Sequence, residues 1–178
     1  MIISEEQSPI CNKKQKNLKF NFYSILETIL EYTSTLDKNI PTIFDNNSIK
    51  NGGKNYNSKS KINIDQCDFE DFYKFCIKKF KFDDDLLVLI MMNIDKIMSN
   101  HNFCLTYKNV NRIFYTCLMI TQKYYEDNAM TNKCYADLVG ITCDELLDME
   151  MEYMNLVDYN LFIKDDEFKN YKQKMNDL

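Results

Sequence analysis

Glycine and proline are nearly absent. Three glycines and two prolines serve 178 residues, and no proline follows Pro41. Gly52 and Gly53 sit in a stretch of Asn, Ser and Lys, which leaves Gly140 as the one glycine elsewhere. A phosphate-cradling loop needs glycines between a strand and a helix, and the chain contains neither GxGxxG nor a Walker sequence. Histidine occurs once, at His101, so HExxH zinc chemistry has no residues to use, and no GxSxG stretch offers a nucleophile elbow. The seven cysteines never form the CxxC pairs that structural zinc normally uses, and no metal is expected. No apolar run is long enough to span a bilayer, and the first twenty residues lack the apolar stretch of a leader. A net charge of −5 supplies no basic field for nucleic acid. No active site is legible.

What is present is helical patterning. A hydrophobic share of 45% suits one domain with a sizeable core and polar flanks. Between Arg112 and Lys123 no residue is charged, and none is Pro or Gly. Val110, just before this stretch, and Ile113, Phe114, Cys117, Leu118 and Ile120 within it fall on more than one face. A helix apolar nearly all round is one that neighbours enclose. The stretch predicts a central helix with Ile113, Cys117 and Leu118 among the most buried residues. Arg112 is the only arginine among 22 basic residues. It reads either as a planar five-donor group needed at that place or as a side chain on a solvated turn. Cys76 and Cys117 lie in apolar helical patterns, where free cysteine acts as a small hydrophobe. The thiols read as reduced, which predicts an intracellular protein of the cytoplasm or nucleus.

In chain order, residues 1–17 read as a flexible polar arm. Phe22, Ile25, Leu26, Ile29 and Leu36 follow helical spacing and predict an amphipathic helix over 18–40. Residues 41–66 read as a low-complexity loop, of which 45–66 have little to bury and are expected outside the packed core. Asp68 predicts the cap of a helix that buries Phe72, Phe75, Cys76 and Phe80 or a neighbouring set. Asp83, Asp84 and Asp85 predict the start of the next helix. Gly140 predicts the stop of a short helix that begins at Asn132. Thr142 to Glu145 form an S/T-x-x-E capping box that opens a last helix, Asp144 to Asp158, and 164–178 read as a polar tail. The class is all-α, with no strand pattern. Asp95 and Glu150 interrupt apolar stripes, and Lys123 closes the central helix. A charge on a buried face wants a partner, unless it snorkels out to water.

Four blocks then line up without gaps: Asn93-Ile94-Asp95-Lys96; Asn109-Val110-Asn111-Arg112 running into Thr121 to Asp127; Asn132 to Ile141; and Glu145 to Met154. With them the run from Leu86 to Ile163 resembles the cyclin box of the P/U-type, phosphate-regulation-type cyclins. Those cyclins read Y-I-D-R, N-x-H-R, A-A-K-F-x-D-D, N-x-x-(Y/F)-A-x-V-G-G-I and E-L-N-x-L-E-x-x-F-L at these places. Asn111 stands for the histidine, and the second glycine is missing. The first-helix arginine that would pair with Asp95 falls on Phe75. Either Lys74, Lys78 or Lys79 substitutes for it, or Asp95 is paired differently.

The resemblance implies a five-helix cyclin box over 67–163, built around a buried central helix and preceded by the N-terminal helix. It implies no catalysis, no cofactor and no small-molecule substrate, nucleic-acid or membrane partner. The implied role is a regulatory subunit that docks on a cyclin-dependent kinase and activates it; the alternative is a non-activating scaffold or adaptor of the same fold. Carried over as kinase-binding positions are Glu150 and, as the basic-side contact, either Asn109 or Arg112; Met151, Met154 and Tyr159, of residue types that interface cores favour, complete the expected kinase-binding face. Arg112 and Glu150 are expected within reach of each other or sharing a kinase group. Asp95 and Lys123 are expected as structural charges.

Overall fold

The computed structural model describes residues 18–35, 42–45, 62–99 and 103–177, and within them seven helices and no strand. The helices are α1 Leu18–Ser34, α2 Phe69–Phe80, α3 Asp84–Met98, α4 Val110–Tyr125, α5 Asn132–Val139, α6 Cys143–Leu156 and α7 Asp165–Asn176. The arm 1–17, His101 and residues 36–41 and 46–61 lie outside the described residues. Every residue of α4 from Val110 to Gln122 is buried. Its uncharged run is therefore the axis of the molecule, as its sequence predicts, and Ile113, Cys117 and Leu118 are fully enclosed. Packed on it are α2, α3 and α6; α5 lies against α6, while α1 and α7 lie against α3 and each other.

The helix ends follow local chemistry. Asp68 accepts from Asp71 N at 2.8 Å, Asp83 from Leu86 N at 2.7 Å, and Thr142 from Glu145 N at 3.1 Å. Each such cap satisfies a backbone donor that the helix itself leaves unpaired and is worth about 1 kcal/mol. Gly140, at φ 77°, ends α5 in the left-handed region that glycine enters without a Cβ penalty. Aromatic rings fill the space between α1, α2 and α4. Phe22 stacks on Tyr73 at 5.5 Å and meets Phe114 at 5.7 Å. Phe72 and Cys76 are buried as expected, with Phe69 and Tyr73 completing the inner face of α2; Phe75 and Phe80 are only partly buried.

Two expectations are corrected. Residues 164–178 are not a tail: Asp165–Asn176 form α7, whose Met175 is buried while Phe168 and Tyr171 pack on the core. Asn21 donates to Met175 O at 3.0 Å and closes α7 onto α1. Nor does the stretch 45–66 lie outside the core where it is described. Ile64 is fully buried, its N donates to Val139 O at 3.2 Å, and Asn111 donates to the carbonyls of Ile64 and Cys67, each at 2.9 Å. The polar composition hides an apolar anchor at Ile64. Burying it brings the 62–67 turn against the start of α4. Phe44, just before the stretch, is buried as well and meets Phe103 edge-on.

Candidate docking site

Arg112 sits in the first turn of α4 and is 1% exposed. Its guanidinium forks onto Asp65, Nε to Oδ1 at 2.8 Å and Nη2 to Oδ2 at 2.9 Å. Nη2 also donates to Glu145 Oε1 in the first turn of α6, and Nη1 lies 3.6 Å from Met149 Sδ. Burial works against the cation, but the hydrogen bonds and charges of Asp65 and Glu145 outweigh it and hold the guanidinium above its ordinary pKa. One planar donor set thus ties the 62–67 turn, α4 and α6 together, a task a lysine point charge would not perform. The expected pairing with Glu150 is corrected: Glu145 and Asp65 take that place. Asn109 is buried too. Its amide accepts from Thr106 N at 2.8 Å and donates to Cys104 O at 2.9 Å, so it braces the loop that enters α4.

Glu150 instead meets Lys123, Nζ to Oε1 at 2.7 Å, with side chains 25% and 21% exposed for Lys123 and Glu150. The C-terminal end of α4 thereby bonds the middle of α6. Asn132, at the start of α5, donates to the other carboxylate oxygen at 3.4 Å. Successive residues of a helix are about 100° apart, so α6 divides cleanly. Leu146, Met149 and Tyr153 turn into the core; Leu147 and Met151 are exposed and Met154 is half-buried on an adjacent face. Glu150 stands on the border between the two faces. Beyond the helix, Asp158 and Tyr159 take left-handed φ values of 50° and 56°, uncommon without glycine. Tyr159 N is held by Met154 O at 2.8 Å, and its ring stands in solvent.

The face therefore joins exposed apolar side chains to one partly buried ion pair. This is the make-up of a protein-docking surface, where a few apolar anchors carry most of the binding energy. Of the expected kinase-binding positions, Glu150, Met151, Met154 and Tyr159 lie on α6 and the turn after it. The structure adds Lys123 and Leu147 and leaves Asn109 and Arg112 buried at the other end of α4. Leu147 was findable, being spaced by four and seven from Met151 and Met154.

Asp95 has a partner, as expected of a half-buried carboxylate, but none of Lys74, Lys78 or Lys79 is it. Tyr171 of α7 donates its hydroxyl to Asp95 Oδ2. Burial raises the Asp95 pKa, and the Tyr171 hydrogen bond draws it part of the way back. Lys96 donates to the carbonyls of Asn160 and Phe162 at 3.1 and 3.3 Å and straps the turn after α6 to α3. Burial pushes Cys67 up to about 11 and Cys76 and Cys117 well above the usual thiol value, so none is primed as a nucleophile. Among the described residues no His, Cys, Asp and Glu side chains group as a metal site, and no helix is long and apolar enough to cross a membrane.

Comparison with known proteins agrees with this architecture. The Cyclin family profile matches residues 2–161. Cyclin-U2-1 of Arabidopsis thaliana is 29% identical over 85 residues, which cover 47% of this chain and 38% of the relative. Cyclin-U1-1 of the same plant is 32% identical over 79 residues, 44% and 38% of the two chains. PHO85 cyclin-7 of Saccharomyces cerevisiae is 24% identical over 100 residues, 49% and 35% of the two chains. The matched stretch spans well under half the length of these relatives. With a family match over most of its length and U-type and PHO85-type cyclins among its relatives, the chain belongs to the Cyclin family and carries a cyclin box of the P/U type.

Proposed function

We propose that the chain is a regulatory subunit that binds a cyclin-dependent serine/threonine kinase and switches it on, without chemistry of its own. The single observation that carries this reading is the outer face of α6. Leu147 and Met151 stay exposed and Met154 half-buried in one row beside the Lys123–Glu150 pair. The relatives named as cyclins support the partner class. A basic residue on the third helix of the box and a glutamate on the fifth are what the resemblance calls for at a kinase interface. Lys123 on α4 and Glu150 on α6 fill those two places better than Asn109 or Arg112, because both reach solvent. Reduced thiols fit a protein that works in cytoplasm or nucleus.

Co-expression with candidate cyclin-dependent kinases of the same cell, followed by co-purification and a phosphotransfer assay, tests the proposal. A complex with raised kinase activity supports it. Binding without phosphotransfer would move the chain to the scaffold or adaptor reading. No association with any such kinase would sink both.

A further inference from the structure

Gln122 and Glu126 stand where the cyclins this chain resembles read alanine and aspartate. Gln122 is 7% exposed, so its amide is out of water and needs a partner at each end. Tyr135 of α5 donates its hydroxyl to Gln122 Oε1 at 3.1 Å, and Gln122 Nε2 donates to Glu126 Oε2 at 3.1 Å. Tyr135 is itself fully buried. Its ring stacks on Phe80 at 6.2 Å, and its carbonyl accepts from the Tyr115 hydroxyl at 2.8 Å. Burial raises the Tyr135 phenol pKa, a hydrogen bond with the Met130 backbone draws it part of the way back, and the Glu126 charge raises it again, so the hydroxyl stays a donor. A donating phenol fixes which end of the Gln122 amide is oxygen, and the amide nitrogen then faces Glu126.

The carboxylate held in this way is badly placed for the free chain. Glu126 caps the C-terminal end of α4, its N–H donating to Gln122 O at 2.9 Å, and the carbonyl end of a helix disfavours an anion. Glu126 is exposed, yet among the described residues no cation pairs with it, and Lys123, three residues earlier, bonds Glu150 instead. The carboxylate of Glu150 is braced from the same helix. Asn132, three residues before Tyr135 on α5, donates to its Oε2. Helix α5 thus reaches Glu150 directly and Glu126 through Gln122. A side chain fixed in advance loses less freedom when a partner bonds to it.

Resting on the kinase-docking reading above, we propose that Gln122 is a positioning residue: oriented by Tyr135, it holds the Glu126 carboxylate at the edge of the docking face and selects kinases that bring an N–H donor to that point. Alanine in its place would reach neither Tyr135 nor Glu126, and the carboxylate would swing freely over several rotamers. Gln122 and Tyr135 touch no kinase atom. They act through Glu126.

The test measures the affinity of the full chain for the kinase that co-purifies with it, beside the melting temperature of the free chain. Glu126→Gln should weaken binding by about 5-fold and leave the free chain as stable as the parent or more so, because an anion leaves the helix end. Gln122→Met with Tyr135→Phe removes both ends of the buried bond and orphans no polar group, so it should weaken binding by about 3-fold at a nearly unchanged melting temperature. Added to Glu126→Gln, these two changes should have no further effect, since Gln122 acts only through Glu126. If the Met and Phe variant is poorly folded, Glu126→Asp serves instead: on an exposed side chain it keeps the charge, falls short of the amide, and should weaken binding by about 3-fold. Effects that multiply to about 15-fold, or unchanged affinity in the folded variant, would overturn the proposal. Glu150→Gln separates it from the reading beneath it. If Glu150→Gln weakens binding while the Gln122 and Glu126 changes do not, the positioning role alone fails; if none of them matters, docking at this face fails as well.

Discussion

Arg112 and Asp65 stand 47 residues apart in the chain and share two near-parallel hydrogen bonds at 2.8 and 2.9 Å. The pair fastens a turn that reads as featureless in sequence to the most enclosed helix of the fold. Arg112→Ala would remove the buried cation that Asp65 and Glu145, both mostly buried, share, so the variant should lose about 3–5 kcal/mol of stability in urea unfolding. Arg112→Lys should recover only part of this, since an ammonium replaces the fork with a point charge. A variant as stable as the parent would mean that water replaces the cation at no cost.

The α6 face should behave in the opposite way. Met151→Ala or Leu147→Ala removes an exposed side chain and should leave the melting temperature nearly unchanged while weakening kinase association by about 1–3 kcal/mol if either is an anchor. Glu150→Ala should cost the free chain less than about 1 kcal/mol, because the Lys123 pair is partly solvated. Calorimetry of the unfolding transition beside a binding titration separates the two effects. A loss of binding that only tracks a loss of folding would remove α6 from the interface.

Asp95 gives the molecule a pH signature. Its folded-state pKa is raised, chiefly by burial, so its contribution to stability is fully present below the ordinary value of 3.8 and is lost as pH rises through the raised value. Asp95→Asn keeps an acceptor for the Tyr171 hydroxyl and never ionises. The variant should therefore match or exceed the parent in stability near neutral pH, and that relative advantage should shrink as the pH falls toward about 4. Tyr171→Phe should have the reverse effect at neutral pH, costing about 1–3 kcal/mol by leaving the carboxylate without its donor. Urea titrations between about pH 4 and 7 check both, and an Asp95→Asn variant much less stable at neutral pH would show that the ionised pair is favourable despite its burial.

Thiol chemistry should divide along the same structural lines. Cys134 and Cys143 are exposed and should react promptly with a disulfide reagent in the native protein. Cys76 and Cys117 are buried with raised pKa values and should react only on unfolding. Rapid labelling of Cys117 would contradict the enclosure of α4.

Much of the fold was legible because it is written in local rules. Asp68, Asp83, Thr142 and Gly140 each act within one turn of chain, and each does what its type and place predict. The failures share a physical cause. In α7 only Phe168, Tyr171 and Met175 carry the inward stripe, three residues in a helix otherwise charged or polar, so composition outweighed spacing. Ile62 and Ile64 are likewise two apolar residues in a polar run. At the site, α6 alone shows that Glu150 disturbs a stripe, but which cation reaches it depends on how α4 lies across α6. Lys123, at the open end of α4, and Arg112, at the closed end, are indistinguishable until that crossing is known. Glu145 fits a capping box, yet its carboxylate serves Arg112, a use no short motif encodes.

The enclosure of thirteen consecutive residues of α4 has a consequence for hydrogen exchange. Amides along that helix reach water only when the shell around them opens, so they should exchange through the largest unfolding event the protein undergoes. The Arg112 latch and the Lys123 contact lie on this one inextensible element, near its two ends. A partner that grips Lys123 raises the free energy of that opening by mass action. Protection would then rise at the 62–67 turn, far from the bound surface, with no atom there having moved.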